Sequence, residues 1–344
     1  MKAAILSGPN MLSVNHLSRP VCPAGGLLVR VVCCAICSSD ARMVLKGHQG
    51  LVYPRIPGHE LSGVVDESRN SCFVPGDRVQ IYPGLSCGHC SACRRGEPRR
   101  CISLKTMGFS ADGGFAEYIS LEESSITSGG VNLIPRNVSD SQAALSEPLA
   151  SCINAQEKAR VGQGDTVLIL GAGPLGLLHS RLARHLGAAR ILITEIDDRR
   201  LELAGELAQA DRVINIGMER IPQVISDETG SRGVNVILLA SNALPVVNLL
   251  PLLVEGGRLS LFAGISKDLS FERFDINQIH YRELEVTGAF GSTPAQNTTA
   301  LDLIAGGFPV EDLITKTLSI DEISAGIEHT NDHQGLRAMV CFNA

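Results

Sequence analysis

The sequence predicts an α/β chain in two parts, a doubly wound parallel sheet joined to a β-rich region. Three observations lead to this. Short β-branched runs separated by Gly, Pro and Asp fill residues 1–150. A regular alternation of apolar strands and helical stretches follows. The turn Gly171-Ala172-Gly173-Pro174-Leu175-Gly176 joins the first strand of that alternation to its helix.

In the first part, Leu27-Leu28-Val29-Arg30-Val31-Val32 and Asp77-Arg78-Val79-Gln80-Ile81-Tyr82 read as strands. The turn signals Pro75-Gly76-Asp77 and Asp112-Gly113-Gly114 point to antiparallel connections. In the second part, Thr166–Leu170 is a compact apolar strand and Leu175 to Leu186 a helix. Arg190–Thr194 is the next strand and Arg199 to Gln209 the next helix. Val234–Leu239 and Gly257–Phe262 continue the alternation, which implies βαβ units. From about residue 285 short strands return, with a helix near Thr298–Ala305. The expected division is therefore 1–149 with 286–344 as one domain, and 150–285 as the other.

Composition narrows the function. The 344 residues suggest about two domains. With 30 Lys+Arg against 36 Asp+Glu, the chain lacks the basic excess of a general nucleic-acid binder. No apolar run approaches the roughly 20 residues that cross a bilayer. The first nine residues hold one lysine and a short apolar run, too little for a secretory signal. A cytoplasmic setting is expected, where 11 cysteines point to metal or thiol chemistry rather than disulfides.

Four of those cysteines follow the pattern C-x2-C-x2-C-x7-C: Cys87, Cys90, Cys93 and Cys101, in a lobe spanning about 84–104. Four thiolates in one loop can close a tetrahedron around zinc with no open position, as structural sites do. Gly88, Gly96 and Pro98 let the loop wrap an ion, and Arg94, Arg95, Arg99 and Arg100 can offset its charge. An iron–sulfur cluster, a zinc-ribbon module and four unrelated thiols are the alternatives. His89 reads as a solvated bystander.

A second, mixed set is Cys37 (in Cys37-Ser38-Ser39-Asp40), His59 and Glu60 (in Gly58-His59-Glu60-Leu61-Ser62-Gly63) and Glu147 (in Glu147-Pro148). Thiolate, imidazole and carboxylate suit a catalytic zinc with one open position. Alone, these residues are weak signals, since a buried Cys or His is more often packing.

The glycine turn follows a strand and opens a helix, the context that marks a dinucleotide site. Gly171 makes the tight turn, Gly173 admits the pyrophosphate, and Gly176 allows close packing of helix on strand. Glu195 lies 24 residues after Gly171, near the usual place of the ribose-binding acid. An acid there disfavours a 2′-phosphate, so NAD is expected over NADP. Arg199 and Arg200 could grip a phosphate and reverse that preference.

Together these motifs, with Pro75-Gly76-Asp77-Arg78-Val79, Gly113-Gly114-Phe115-Ala116-Glu117-Tyr118 and Glu147-Pro148-Leu149-Ala150, resemble the zinc-dependent medium-chain dehydrogenase/reductase family of alcohol and polyol dehydrogenases. They occur in the family's order and cover most of the chain. The resemblance implies a GroES-like catalytic domain, a Rossmann NAD-binding domain and two zinc ions per chain. It implies catalytic zinc on Cys37, His59 and a glutamate, either Glu60 or Glu147. It gives Asp40 the task of orienting the histidine and Ser39 that of passing on the substrate proton. Cofactor contacts are implied at Gly171, Gly173, Pro174, Leu175, Gly176, Glu195, Phe262 and Phe290. A homodimer or homotetramer is expected, with an edge strand near Gly257–Phe262 or just after it.

The chain departs from the family's pattern in three places, one being Arg69 where a family glycine is expected. Arg42 stands where many relatives carry a relay histidine, with His48 as a nearby substitute. Gly291 stands where sorbitol dehydrogenases carry a substrate-pocket arginine. Three functions follow as expectations. The first is an NAD-dependent dehydrogenase for a secondary alcohol of a polyol, sugar or cyclitol. The second is an amino-alcohol dehydrogenase acting on a substrate such as threonine. The third is a non-catalytic NAD-binding sensor of the same fold.

Overall fold

The computed structural model describes residues 1–48, 50–241, 248–264 and 275–342. The chain forms two units, Met1–Ala150 with Ser292–Ala344, and Ser151–Gly291.

The first unit is built on a sheet whose strands run in the order Ile314–Leu318, Arg337–Cys341, Leu27–Ile36, Glu60–Ser68, Arg78–Ile81 and Val131–Leu133. Leu27–Ile36 is its central strand, buried at eight of its ten positions, which explains its nearly unbroken apolar sequence. Tyr118–Leu121 also pairs with it. The C-terminal strand Arg337–Cys341 lies antiparallel beside it, with Cys341 opposite Cys33. Side chains such as Leu61, Val79, Phe115, Ile323 and Val340 form the unit's apolar core.

Within this unit the loop before Glu60 is held by close backbone packing. Gly58 has φ +97°, and a Cβ there would meet Cys34 Sγ and the Phe115 amide at 2.9 Å. Only glycine fits such a conformation at such a distance.

The second unit is a six-stranded parallel sheet in the order Arg212–Asn215, Arg190–Glu195, Thr166–Leu170, Val234–Leu239, Leu253–Leu261, Glu285–Gly288. Successive strands run outward from Thr166–Leu170 on one side, then resume on its other side. The glycine turn therefore sits at the topological switch point, where such sheets bind ligands. Leu168, Leu170, Leu192, Ile237 and Leu259 pack in its core.

The sequence places the return to the first domain at residue 286. Glu285–Gly288 instead hydrogen-bonds onto Leu253–Leu261 as a sixth strand, and the second unit ends at Gly291. That segment is short and polar-alternating, as an edge strand can be, which hides its membership. For the same reason Leu253–Leu261, named above as a possible edge, is an inner strand, and among the described residues the edge on that side is Glu285–Gly288. No helix among the described residues is long and apolar enough to cross a membrane.

One of the titratable residues buried in this unit is a histidine. His179 is fully buried on helix Pro174–His185, its ring edge-on to Phe262 at 4.6 Å, with Gln156 Nε2 3.1 Å from its Nδ1. Burial drives its pKa down to about 3. The unfolded histidine binds a proton below about pH 6.5, whereas the folded one stays neutral, so stability falls as pH drops through that window. The cost is about 1.4 kcal/mol per pH unit. Urea unfolding of the wild type and His179→Gln at pH 6.5 and 5.5 should show a steeper acid loss in the wild type; parallel losses would contradict a neutral buried imidazole.

Candidate active site

The active-site cluster begins at a helix N-terminus. Cys37 is the N-cap of helix Ser38–Lys46. Asp40, three residues on and fully buried, turns back so that its Oδ2 accepts the Cys37 amide at 3.0 Å. Its Oδ1 accepts the Gly58 amide at 3.3 Å and lies 3.3 Å from His59 Nδ1. One carboxylate thus caps the helix, fixes the loop before Glu60, and faces the imidazole. The Cys37-x-x-Asp40 spacing is what this reach requires.

Cys37, His59 and Glu60 each turn a ligand atom to one point, all within 4.8 Å of one another. Glu147 is buried in the first turn of helix Ser146–Lys158, and its charge is felt at Glu60 and Arg337. Ser39 is half-buried in the first turn after Cys37.

Electrostatics here are set by burial opposed by charge. Burial works against the Cys37 thiolate, but Arg337 and His59 outweigh it and bring the thiol down to about 5. Burial also works against charged His59, yet Asp40 and Cys37 raise it well above its usual range. Burial raises Glu60 well above the carboxylate range despite Arg337.

Phe109 stands 5.7 Å ring to ring from His59 and 5.7 Å from His48. His48 is thus separated from His59 by an aromatic ring, and its Nδ1 accepts the Gly50 amide at 3.1 Å. Arg42 is exposed.

The four lobe cysteines also converge within 4.8 Å, with Cys90–Cys93 and Cys87–Cys101 sulfurs each 3.5 Å apart. Gly88 and Gly96 both take positive φ as the loop wraps. Backbone amides, more than arginines, favour the thiolates. Hydrogen bonds from the Cys93 and Ile102 backbone bring Cys90 down to about 6, and the Cys87 amide lowers Cys101. Two of the four arginines have other work, since Arg95 and Arg100 both pair with Glu97, at 3.2 and 2.7 Å. His89 is exposed, its Nδ1 2.7 Å from the Cys87 carbonyl.

In the second unit, Gly171 has φ +103° and Gly173 is the N-cap of helix Pro174–His185, with Pro174 in the first turn. A Cβ on Gly176 would lie 1.9 Å from the Gly171 carbonyl, which is why the third glycine is required. Leu175 is half-buried beside it. Glu195 ends the neighbouring strand and reaches the turn directly, its Oε2 accepting the Ala172 amide at 3.0 Å and its Oε1 the Ile196 amide at 2.8 Å. Arg200 lies beside Gly173, partly buried in the field of Glu195 and Asp197, whereas Arg199 is exposed. Phe262 packs on His179 and Phe290 is exposed.

Comparison with known proteins decides the family. Residues 23–129 match the alcohol dehydrogenase GroES-like domain, and residues 174–306 the zinc-binding dehydrogenase domain. The chain is 31% identical to D-arabitol-phosphate dehydrogenase of Enterococcus avium, over 98% of this chain and 95% of that one. The chain belongs to the zinc-dependent medium-chain dehydrogenase family. Among solved structures, a zinc-binding dehydrogenase of Sinorhizobium meliloti 1021 bound to NADP superposes with TM-score 0.88 at 28% identity, covering 99% of both chains. An alcohol dehydrogenase of Escherichia coli CFT073 complexed with NADH does so with TM-score 0.89 at 28% identity, again over 99% of both. This dehydrogenase is thus a zinc-dependent oxidoreductase of the alcohol and polyol class, with a GroES-like domain and a Rossmann-like sheet.

The residues present fit the family's metal. In the active-site cluster, Glu60 Oε2 is buried with no hydrogen-bond partner, an acceptor that a cation would satisfy. In the lobe, four converging thiols form a closed soft-donor set.

The sequence reading misses Arg337, which the dehydrogenase buries at 2% exposure in this cluster. Its Nη2 lies 2.9 Å from Glu60 Oε1, its Nη1 donates to the Ile36 carbonyl, and its charge acts on Cys37. The available signal was a single charge opening the apolar run Arg337-Ala338-Met339-Val340. Removing one partner of a buried pair leaves the other charge uncompensated, at a cost of about 3–5 kcal/mol. Arg337→Met should therefore lower the urea midpoint markedly, and adding Glu60→Gln should recover much of the loss; additive losses would mean the two do not interact.

Proposed function

We propose that this dehydrogenase oxidises a secondary hydroxyl of a polyol, sugar or cyclitol and passes the hydride to NAD. The observation that carries the reading is the buried convergence of Cys37, His59 and Glu60, with an unpartnered carboxylate oxygen turned into it. Cys37, His59 and Glu60, with Glu147 beside them, would hold a zinc ion that acts as a Lewis acid and lowers the pKa of the substrate hydroxyl. Cys87, Cys90, Cys93 and Cys101 would hold a second, structural zinc.

The chain's own residues supply the rest. Arg337 favours the ionised Cys37 ligand and balances Glu60. Asp40 orients His59 through Nδ1. Ser39 takes the substrate's proton and hands it on. With Arg42 exposed, that proton leaves without an imidazole at the usual relay position. Glu195, whose carboxylate is already pinned to the glycine turn, meets the adenosine ribose and repels a 2′-phosphate. Solved relatives bind either NADP or NADH, so the choice rests on Glu195.

The assembly we propose is a homodimer or homotetramer. Its support is Glu285–Gly288, an edge strand among the described residues, with Val286 exposed on it. A cytoplasmic setting is supported by eleven free cysteines.

Polyols, polyol phosphates, cyclitols and L-threonine, each offered with NAD and NADP to zinc-replete protein, test the reading. Turnover of a polyol or cyclitol with NAD is expected. Activity on threonine alone would overturn the substrate class. One zinc per chain, with no turnover of any alcohol, would favour a sensor. Cys37→Ser should lower zinc from two per chain to one and abolish turnover, and Cys90→Ser should lose the other zinc and destabilise the lobe. Glu195→Ala should shift the NAD-to-NADP ratio of kcat/KM toward NADP by about tenfold or more, or about 1.4 kcal/mol; an unchanged ratio would show that Glu195 does not meet the ribose.

A further inference from the structure

Two cysteines outside both metal clusters face each other across the central sheet of the first unit. Cys33 on Leu27–Ile36 and Cys341 on Arg337–Cys341 are register partners. The next residue, Phe342, donates its amide to the Val32 carbonyl at 2.9 Å. In an antiparallel ladder hydrogen-bonded and non-hydrogen-bonded pairs alternate, so Cys33 and Cys341 occupy a non-hydrogen-bonded pair, where side chains approach most closely. Their sulfurs are 2.8 Å apart, nearer than the 3.5 Å between lobe sulfurs that converge as a metal site. Paired Cα atoms about 4.5 Å apart fall within the range that a disulfide spans, so closing the bond requires no strand movement. Cys34 cannot compete. It points to the opposite face, where its sulfur packs beside Gly58 and Gly114.

We propose that Cys33 and Cys341 form a reversible disulfide that staples together the strands carrying Cys37 and Arg337. Cys37 immediately follows the first strand, and Arg337 opens the second. The bond would close a separation of 308 residues and fix the pairing that holds Arg337 beside Cys37.

The oxidant is a hydroperoxide, hydrogen peroxide being the simplest. Cys341 is half-exposed, whereas Cys33 is 5% exposed, so the first attack falls to Cys341. The contact with Cys33 lowers the Cys341 thiol, although burial and Asp140 oppose it. The Cys341 thiolate attacks one peroxide oxygen, the O–O bond breaks, and hydroxide leaves to take up a proton as water. Cys341 is then a sulfenic acid. Cys33 sulfur attacks the sulfenic sulfur, the S–O bond breaks, and the hydroxide takes the Cys33 proton as a second water. The two thiols lose two electrons and the peroxide gains them. A dithiol reductant reverses the bond by exchange.

Zinc-replete protein is treated with hydrogen peroxide, alkylated, digested with trypsin and mapped by mass spectrometry with fragmentation. The expected product joins the segment holding Cys33 to the segment holding Cys341, disappears on dithiothreitol treatment, and is absent from Cys33→Ser and Cys341→Ser. Cys33→Ser should leave a sulfenic acid at Cys341 that dimedone traps. The thermal midpoint of the wild type should rise by about 4 °C or more on oxidation, since the bond closes a long loop, and that of Cys33→Ser should not. Oxidation of exposed Cys72 without the Cys33–Cys341 link, or a link formed only in unfolded protein, would overturn the proposal. A link with an unmoved midpoint would overturn the staple.

Discussion

Four acids meet in one dry region of the first unit: Cys37, Asp40, Glu60 and Glu147, all but Cys37 under 9% exposed. Arg337 and His59 stand against them. Burial of several acids together disfavours holding every one ionised, and the shifts show the direction in which charge is relieved. Glu60 is raised well above its usual range and so favours keeping a proton, while His59 is raised and so favours carrying one. A divalent cation would do the same work without protons. The unpartnered Glu60 Oε2 is an acceptor that such a cation would satisfy.

Asp40 is the geometric counterpart of that balance. A single carboxylate accepts the amides of Cys37 and Gly58 and faces His59. Cys37 and His59, the proposed ligands, lie 22 residues apart in sequence, on a helix terminus and at the start of a strand. What holds them in register is mainly this carboxylate, together with a Gly58 that leaves no room for a side chain. The architecture therefore tolerates little change at Asp40 or Gly58, even though neither supplies a ligand atom.

The parts of the site legible in the sequence were those carried by local spacing. The lobe's four cysteines lie within 15 residues, and the glycine turn within six. A motif of that length encodes its own geometry. Arg337 is the opposite case. It reaches the Ile36 carbonyl across 301 positions, and only the sheet register brings it to Cys37. The same register pairs Cys33 with Cys341, two thiols that composition can only count. The edge strand Glu285–Gly288 was read into the wrong part because its pattern carries no parallel-sheet signature. What assigns it is its hydrogen-bond partner Leu253–Leu261. Fold class and donor types were thus readable, whereas the charge balance around them was not.

The cofactor turn shows how a local motif and a longer reach combine. Gly171, Gly173 and Gly176 shape the turn, but Glu195 fixes it by accepting the Ala172 amide. The acid that would select the cofactor is therefore also a structural strut of the loop that would cradle it. Arg200 follows the same strand and lies over Gly173, with Glu195 and Asp197 both acting to keep it charged. A bare arginine at that place would attract a 2′-phosphate. Here burial works against its charge, while Glu195 and Asp197 act to keep it. If Glu195 meets the ribose as proposed, its charge weighs against the extra phosphate.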